Sequence, residues 1–408
     1  MVGEVGRGWH NWSGSVGCAP QQIVAPGSET EVAAAVRAAT RAGATVRVAG
    51  SGHSFVPLCA TDGVLVTLDA LHGVVGVDAE RRRATIWAGT KLHRLGPLLH
   101  AAGLAMANMG DIDRQSLGGA VGTGTHGTGP TLGSISTQVV GMRLATADGD
   151  LLDCSADQEP EVFSAARVAV GALGIATQIT LQLLPAYKLH ERTWVESFEE
   201  CMGHLDELIA ANRHFEFFWL PTADACAMKA LNPTEAEIFT PPPPPPSPPG
   251  SLGRYTKPER VDWSYRVLPS ERNVRFNEME FAVPAERGPE CLREIRALMQ
   301  TKHLDVTWAV EYRTLRADDI PLGPAQGRET VTISIHQAAE LLPEAFFADA
   351  EAIFRNHRGR PHWGKCHSHR ADELRALYPR WEAFDAVRAR LDPNGRFLNG
   401  YLREVLVG

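Results

Sequence analysis

Residues 46–55 read VRVAGSGHSF, an alternating apolar run that enters a turn of small residues and then presents a histidine. Val46 and Val48 alternate with polar or small neighbours as a half-buried strand does. Gly50 and Gly52 carry no Cβ, so the backbone N–H groups of the turn can approach an anionic ligand closely. His53 is then the one large side chain within reach of whatever that turn holds. Upstream, SETEVAAAVRAATRAG (28–43) predicts a helix with Ser28 as N-cap, Glu31 three residues later and Gly43 as its stop.

Alternating elements continue beyond the turn. GVLVTLDAL (63–71) and RATIWAG (83–89) are strand candidates, and KLHRLGPLLHAAG (91–103) predicts a helix despite Pro97. Asp148-Gly149 within GMRLATADGDLLDC marks a hairpin. A helix from Glu161 to Val170 and the strand ATQITLQLLPA close a first α+β domain of residues 1–186. The composition of elements then changes. EFFWLP and TVTISIHQA suit strands, while FEECMGHLDELIAANR and PECLREIRALMQ suit amphipathic helices, so residues 187–360 predict an antiparallel sheet with flanking helices. Within it TPPPPPPSPPG (240–250) can neither pair in a sheet nor continue a helix and is expected as an exposed loop. Residues 361–408 form a closing segment with a helix that ends at the turn Asp392–Gly395.

Forty basic and 48 acidic residues in 408 give a net charge of −8 without long like-charge blocks, which argues against a nucleic-acid surface. Seven scattered cysteines without a C-x-x-C pair argue against a disulfide framework and for a reducing, cytoplasmic compartment. The first residues lack the continuous apolar stretch of a signal peptide, and no run reaches a membrane-spanning length.

A second glycine-rich stretch, LGGAVGTGTHGTGPTLGS (117–134), contains a literal G-x-G-x-x-G from Gly122 to Gly127. A pyridine-dinucleotide site needs a strand immediately before that pattern and a helix opening at its end. Here glycines precede it and Pro130 follows. What remains is a flexible backbone able to cradle a pyrophosphate.

Together VAGSGHSF, NMGDIDRQSLGGAVGTGTHGTG, VGALGIATQITLQL, the EYR of Glu311 to Arg313, PHWGK and LDPNGRF resemble the vanillyl-alcohol oxidase superfamily of PCMH-type flavoenzymes. Within it the chain is most similar to the sugar-1,4-lactone and alditol oxidases, from about Pro26 to Leu406. The resemblance implies an α+β two-domain flavoprotein: a PCMH-type FAD-binding domain, completed by the C-terminal segment, and a cap over the isoalloxazine ring. His53 matches the residue that attaches FAD covalently; the alternative is a hydrogen bond to the cofactor. Ala49, Gly50, Ser51, Gly52, Ser54, Gly110, Asp111, Ile112, Ser116, Gly119, Thr123, Gly124 and His126 are implied to line the cofactor. Gly174 and Ile175 are implied near its adenine or pyrophosphate, and His362 is implied to approach it. In the enzymes it resembles, a small residue at this position leaves the flavin open to O2, so Gly110 implies oxidase chemistry.

Alcohol oxidation by a flavin needs the reacting carbon held in place, a group to take the hydroxyl proton, and positive charge nearby. AVEYRTL alternates, so Glu311 and Arg313 share a face, and His336 in ISIHQA lies on a neighbouring strand. By resemblance Glu311, Arg313 and Lys365 contact substrate hydroxyls, and Lys365 polarises or deprotonates the reacting one. The implied activity is oxidation of a sugar-derived substrate, an aldono-1,4-lactone first, with O2 giving H2O2. An alditol, a nucleoside or another glycosylated metabolite is the alternative substrate, and a dehydrogenase the alternative chemistry. Ala338 departs from the family pattern, and Asp111 from that of the alditol oxidases. His362, Cys366, His367 and His369 also suggest a metal site; the flavin reading already uses that segment, and no metal is expected. A non-catalytic protein recruiting partners through the proline loop is the remaining rival.

Overall fold

Ser28 begins the first helix as expected: its side chain accepts the Glu31 N–H at 3.2 Å, and Glu31 in return accepts the N–H of Gly27 at 2.9 Å. The helix Glu29–Arg41 stops where Gly43 takes φ +71°, a conformation open to glycine. The computed structural model describes residues 8–242, 244–245, 247–248, 250–270, 274–341 and 343–408. Residues 1–7 and Pro243, Pro246 and Pro249 of the proline-rich stretch lie outside them.

The helix links two strands of a parallel sheet, in which Val64–Thr67 lies between Gln22–Val24 and Val46–Ala49. The Gly50–Ser54 turn therefore leaves the carboxyl end of a parallel strand, where open α/β sheets bind ligands. Beside it stands a five-stranded antiparallel sheet, ordered Leu151–Ser155, Val139–Ala145, Ile175–Gln182, Arg83–Trp87, Val74–Asp78. Asp148-Gly149 forms the expected hairpin, with Gly149 at φ +76°. Ile175–Gln182 buries Ile175, Thr177, Ile179 and Leu181 and half-exposes the residues between, the period-2 pattern of its sequence.

Two expected helices are shorter. The one predicted from Glu161 ends at Ala166, because Val170 and Gly171 both take positive φ in a turn that re-aims the chain. FEECMGHLDELIAANR is broken at His204 into Phe198–Gly203 and Leu205–Ala211, the first closed by a Ser197–Glu200 capping box.

The second domain is larger in sheet than its sequence suggests. Eight antiparallel strands run in the order Arg260–Trp263, Lys188–Ser197, Ala225–Thr234, His214–Leu220, Val310–Leu315, Thr330–Ala338, Phe276–Pro284 and Arg360–Pro361. One face packs on the helices Gly288–Thr301 and Glu344–Asn356 through Phe217, Phe281, Ile333 and Phe354. The other face meets the first domain and carries the polar residues described below. The C-terminal segment returns to the first domain's core through Trp381, Phe384, Phe397 and Leu402. Arg47 fastens that return: its buried guanidinium donates to the carbonyls of Leu58, Val170, Gly171 and Phe397. No helix among the described residues is long and apolar enough to cross a membrane.

Candidate active site

A cleft of about 1100 Å³ opens at the end of the Val46–Ala49 strand. Ala49, Gly50, Ser51, Gly52, His53 and Ser54 form one wall, and Ser116, Gly119, Thr123 and Gly174 contribute to the others. The space is shaped by missing side chains: a Cβ on Gly50 would fall 2.1 Å from Ser116 Oγ, and one on Gly174 would fall 2.6 Å from the Ala145 carbonyl oxygen. Ser51 Oγ and His53 Nδ1 are buried within the protein without a hydrogen-bond partner. Buried polar atoms of this kind are rare and call for a ligand. Backbone cradle, orphaned hydroxyl and orphaned imidazole nitrogen together fit a cofactor with a pyrophosphate and a ring.

The first residues of the chain hold His53 in place. Trp12 N–H donates to the Gly52 carbonyl at 2.7 Å, Asn11 Nδ2 to that of Ser54 at 2.9 Å, and the Trp12 ring lies 5.2 Å from the imidazole. Burial, with Lys365 and Lys91 adding positive charge, lowers His53 to about 4. The imidazole is therefore neutral at neutral pH and keeps a lone pair for bonding.

A second cleft of about 670 Å³ shares His53, Ser54, Gln115 and Thr123 with the first. His53 thus stands where the two meet. Gly110, Asp111, Ile112, His126, Glu311, Arg313, His336, His362 and Lys365 all line this second space. Gly124 and Ile175 line neither cleft: Gly124 turns at φ +73° against Pro324, and Ile175 is buried in the first domain's core.

Glu311 and Arg313 share a face of their strand and pair at 3.1 Å, and both are buried, so they are no surface ion pair. Burial would lower the Arg313 guanidinium, but Glu311 and Glu280 outweigh it and hold it above its ordinary value. The strand FNEMEFAVP supplies two carboxylates that motif reading passes over. Glu280 accepts from His126 at 2.6 Å and from Arg313 and Ser334, each at 2.7 Å. Burial alone would raise Glu280; His126 and then Arg313 reverse this and hold it well below the carboxylate range. Glu278 forms an ion pair with Lys365 and stands 3.7 Å from His336 Nε2. There too burial opposes the charge, and Lys365 and His336 prevail, so the carboxyl is lowered. Lys365 therefore has a carboxylate as its immediate partner, with the Phe55 ring 5.1 Å away.

The four residues of the suspected metal cluster separate. His369 Nδ1 bonds Glu351 at 2.9 Å, His367 Nε2 bonds the Tyr401 hydroxyl at 2.9 Å, and His362 faces the second cleft. Among the described residues other sets have the spacing for an ion, His126–Glu280–His362, Glu278–Glu311–His336 and Asp111–Glu216–Glu311. Each already holds a protein cation, Arg313 on Glu280, Lys365 on Glu278 and Lys229 on Glu216.

A model of the FAD binding domain matches residues 20–155, and a family model described as D-arabinono-1,4-lactone oxidase matches residues 179–252 and 251–405. The chain belongs to the D-arabinono-1,4-lactone oxidase family. That places it in the vanillyl-alcohol oxidase superfamily, as an FAD-dependent oxidoreductase. Two relatives match over nearly their whole length. The chain is 38% identical to an L-gulono-1,4-lactone dehydrogenase of Mycobacterium tuberculosis, covering 98% of this chain and 99% of that protein. It is 31% identical to an L-gulonolactone oxidase of Bos taurus, with 99% of each covered. Among solved structures, cholesterol oxidase from B. sterolicum shares the fold, with a TM-score of 0.83, 16% identity, and 98% and 97% of the two chains covered.

Proposed function

We propose that the chain oxidises a hydroxyl-bearing carbon of an aldono-1,4-lactone in the second cleft, with the electrons passing to O2 and H2O2 released. The observation that carries this is the convergence of Glu311, Arg313, His336 and Lys365 on one buried cleft that meets the cofactor cleft at His53. FAD, when bound, supplies the hydride acceptor and the route to oxygen. His53 is proposed as its covalent anchor: the ring is neutral, and its Nδ1 has no other partner.

The protein's own residues then divide the work. Glu311 and Arg313 take substrate hydroxyls as acceptor and donor, fixing which carbon faces the ring. Lys365 polarises the reacting hydroxyl. His336 Nδ1 lies 3.0 Å from the Ala309 carbonyl and donates to it, which fixes the ring with Nε2 towards Glu278, where it is proposed to take up the substrate proton. Glu278, 3.7 Å from that Nε2, stabilises the resulting imidazolium. Phe276 lines the cleft with its ring in T-shaped contact with His336 at 5.3 Å and backed by Trp308, which gives this end of the cleft an apolar edge. Seven unbridged cysteines support a cytoplasmic setting.

The second reading is a lactone dehydrogenase, and Gly110 does not separate it from the oxidase. A Cβ there would lie 2.9 Å from the His126 carbonyl oxygen, so packing alone calls for glycine, whatever the electron acceptor. Peroxide release, measured across aldono-1,4-lactones, alditols and nucleosides beside an artificial acceptor, separates the readings. The expected result is peroxide from a lactone. Turnover only with the artificial acceptor selects the dehydrogenase, and turnover of no lactone overturns the substrate assignment.

A further inference from the structure

Near the start of the chain Trp9–His10 pairs with Gly17–Cys18 in a small hairpin seated against the turn that carries His53. A hairpin this short is not stable alone, and Asn11 closes it. The Asn11 side chain is buried, and its Oδ1 accepts the N–H groups of Gly14 at 2.9 Å and Val16 at 3.0 Å. Its Nδ2 crosses to the Ser54 carbonyl at 2.9 Å, and the next residue, Trp12, gives its N–H to the Gly52 carbonyl at 2.7 Å. Two consecutive residues of the hairpin thus hold the residues on either side of His53. The fit is close: a Cβ on Gly52, which turns at φ +69°, would lie 3.3 Å from Asn11 Cα. The imidazole is held as well, because the Trp12 ring stands 5.2 Å from it at 33° and itself meets Phe276 of the second domain at 5.3 Å. Neither Asn11 nor Trp12 lines either cleft, so what they do for the cofactor passes through His53.

We propose that Asn11 and Trp12 are positioning residues for the covalent attachment of FAD, aiming the His53 imidazole at the cofactor so that the bond forms. The inference rests on the proposed anchoring at His53 and deepens it. Attachment joins an imidazole nitrogen to a methyl carbon of the flavin's dimethylbenzene ring. One C–H bond of that methyl and the imidazole N–H break, one N–C bond forms, and the two electrons and two protons given up reduce the flavin. O2 then takes them as H2O2. The step needs a nitrogen free of other partners, and His53 Nδ1 is buried without one. It also needs aim, because a displacement of about 1 Å from a near-attack geometry costs about 100-fold in rate. A turn containing Gly50 and Gly52 has no such precision of its own, since glycine leaves the backbone free. The hairpin supplies it by fixing a carbonyl on each side of His53 and one face of the ring.

The test follows the flavin when purified holoprotein is precipitated with acid, in wild type, Trp12→Ala, Trp12→Phe, Asn11→Asp and His53→Ala. Flavin in the pellet is covalent, flavin in the supernatant was only bound, and their sum is total FAD; intact mass checks the adduct. Wild type is expected in the pellet and His53→Ala in the supernatant, which sets the zero. Trp12→Ala and Asn11→Asp are expected to shift flavin to the supernatant at unchanged total FAD, with a covalent fraction at least about threefold below wild type, because attachment slows about 10- to 100-fold. Asn11→Asp keeps the acceptor that closes the hairpin and loses the donor to Ser54. Trp12→Phe keeps a ring against the imidazole and restores the pellet fraction. Pellet fractions equal to wild type in Trp12→Ala and Asn11→Asp overturn the inference and leave the anchor standing. A fall in total FAD that matches the fall in the pellet also overturns it, since the hairpin would then serve folding alone. Should Trp12→Ala fail to fold, Asn11→Asp decides, and a wild-type pellet fraction there overturns the inference. Wild type that releases its flavin into the supernatant overturns the anchoring at His53, and this inference with it.

Discussion

Glu280 accepts hydrogen bonds from His126, Arg313 and Ser334 in a pocket where it is 2% exposed, and Glu278 beside it holds Lys365. Neither residue is legible from sequence, because E-M-E in an alternating strand reads as an ordinary solvent-facing row. Only the pairing of that strand with Thr330–Ala338 and its approach to the first domain turns the row inward. Glu311, Arg313 and Lys365 were singled out through the resemblance carried by EYR and PHWGK, and His336 by its place on a neighbouring strand; the structure brings the four to one cleft. Replacing Glu280 with Gln removes the charge that holds Arg313 and His126; it is expected to cost about 3 to 5 kcal/mol of stability, as breaking one side of a buried pair does. Chemical denaturation would show this, and a loss below about 1 kcal/mol would contradict the network. Lys365→Met is expected to abolish turnover while leaving flavin content unchanged. Retained activity would remove its assigned role.

At the scale of elements, the turns were the more readable part. Ser28, Gly43, Asp148-Gly149 and the Gly50–Ser54 turn are all where local chemistry places them, because caps and positive φ are decided within a few residues. The helix break at His204 and the early stop at Ala166 were not, since each depends on where the chain must go next. Gly174 joins both scales: it lines the cofactor cleft at φ +138°, just before the Ile175–Gln182 strand. Alanine there is strained by about 1 to 3 kcal/mol and meets the Ala145 carbonyl. Gly174→Ala is expected to purify with less bound FAD than wild type, read from visible absorbance per protein. Equal FAD content would show that the cradle tolerates a Cβ.

For the whole molecule, the α+β class and the change of character between the two parts follow from the pattern of elements, while their division into cofactor domain and cap came from the resemblance. The eight-stranded order does not follow from that pattern, because pairing Phe276–Pro284 with Thr330–Ala338 joins residues far apart in the chain. That assembly buries several histidines in neutral form. Burial, with nearby positive charge, lowers His214 and His362 to about 3 and His367 to about 4. Below pH 6.5 the unfolded chain therefore binds protons that the native chain does not, and stability falls as pH drops from 6.5 towards these values. Each such group costs about 1.4 kcal/mol per pH unit in that window. The melting temperature is expected to decline steadily from pH 7 to pH 5, and less steeply in His214→Phe. A flat profile would contradict the burial of these rings in neutral form.

The central claim is that a lactone bound against Glu311, Arg313 and Lys365 delivers its electrons to the flavin at His53. Anaerobic mixing of the purified yellow protein with L-gulono-1,4-lactone tests it directly, with oxygen removed so that the acceptor does not matter. Rapid bleaching of the flavin colour in wild type, absent in Lys365→Met, is the predicted result. A flavin that stays oxidised in wild type at millimolar lactone would contradict the account.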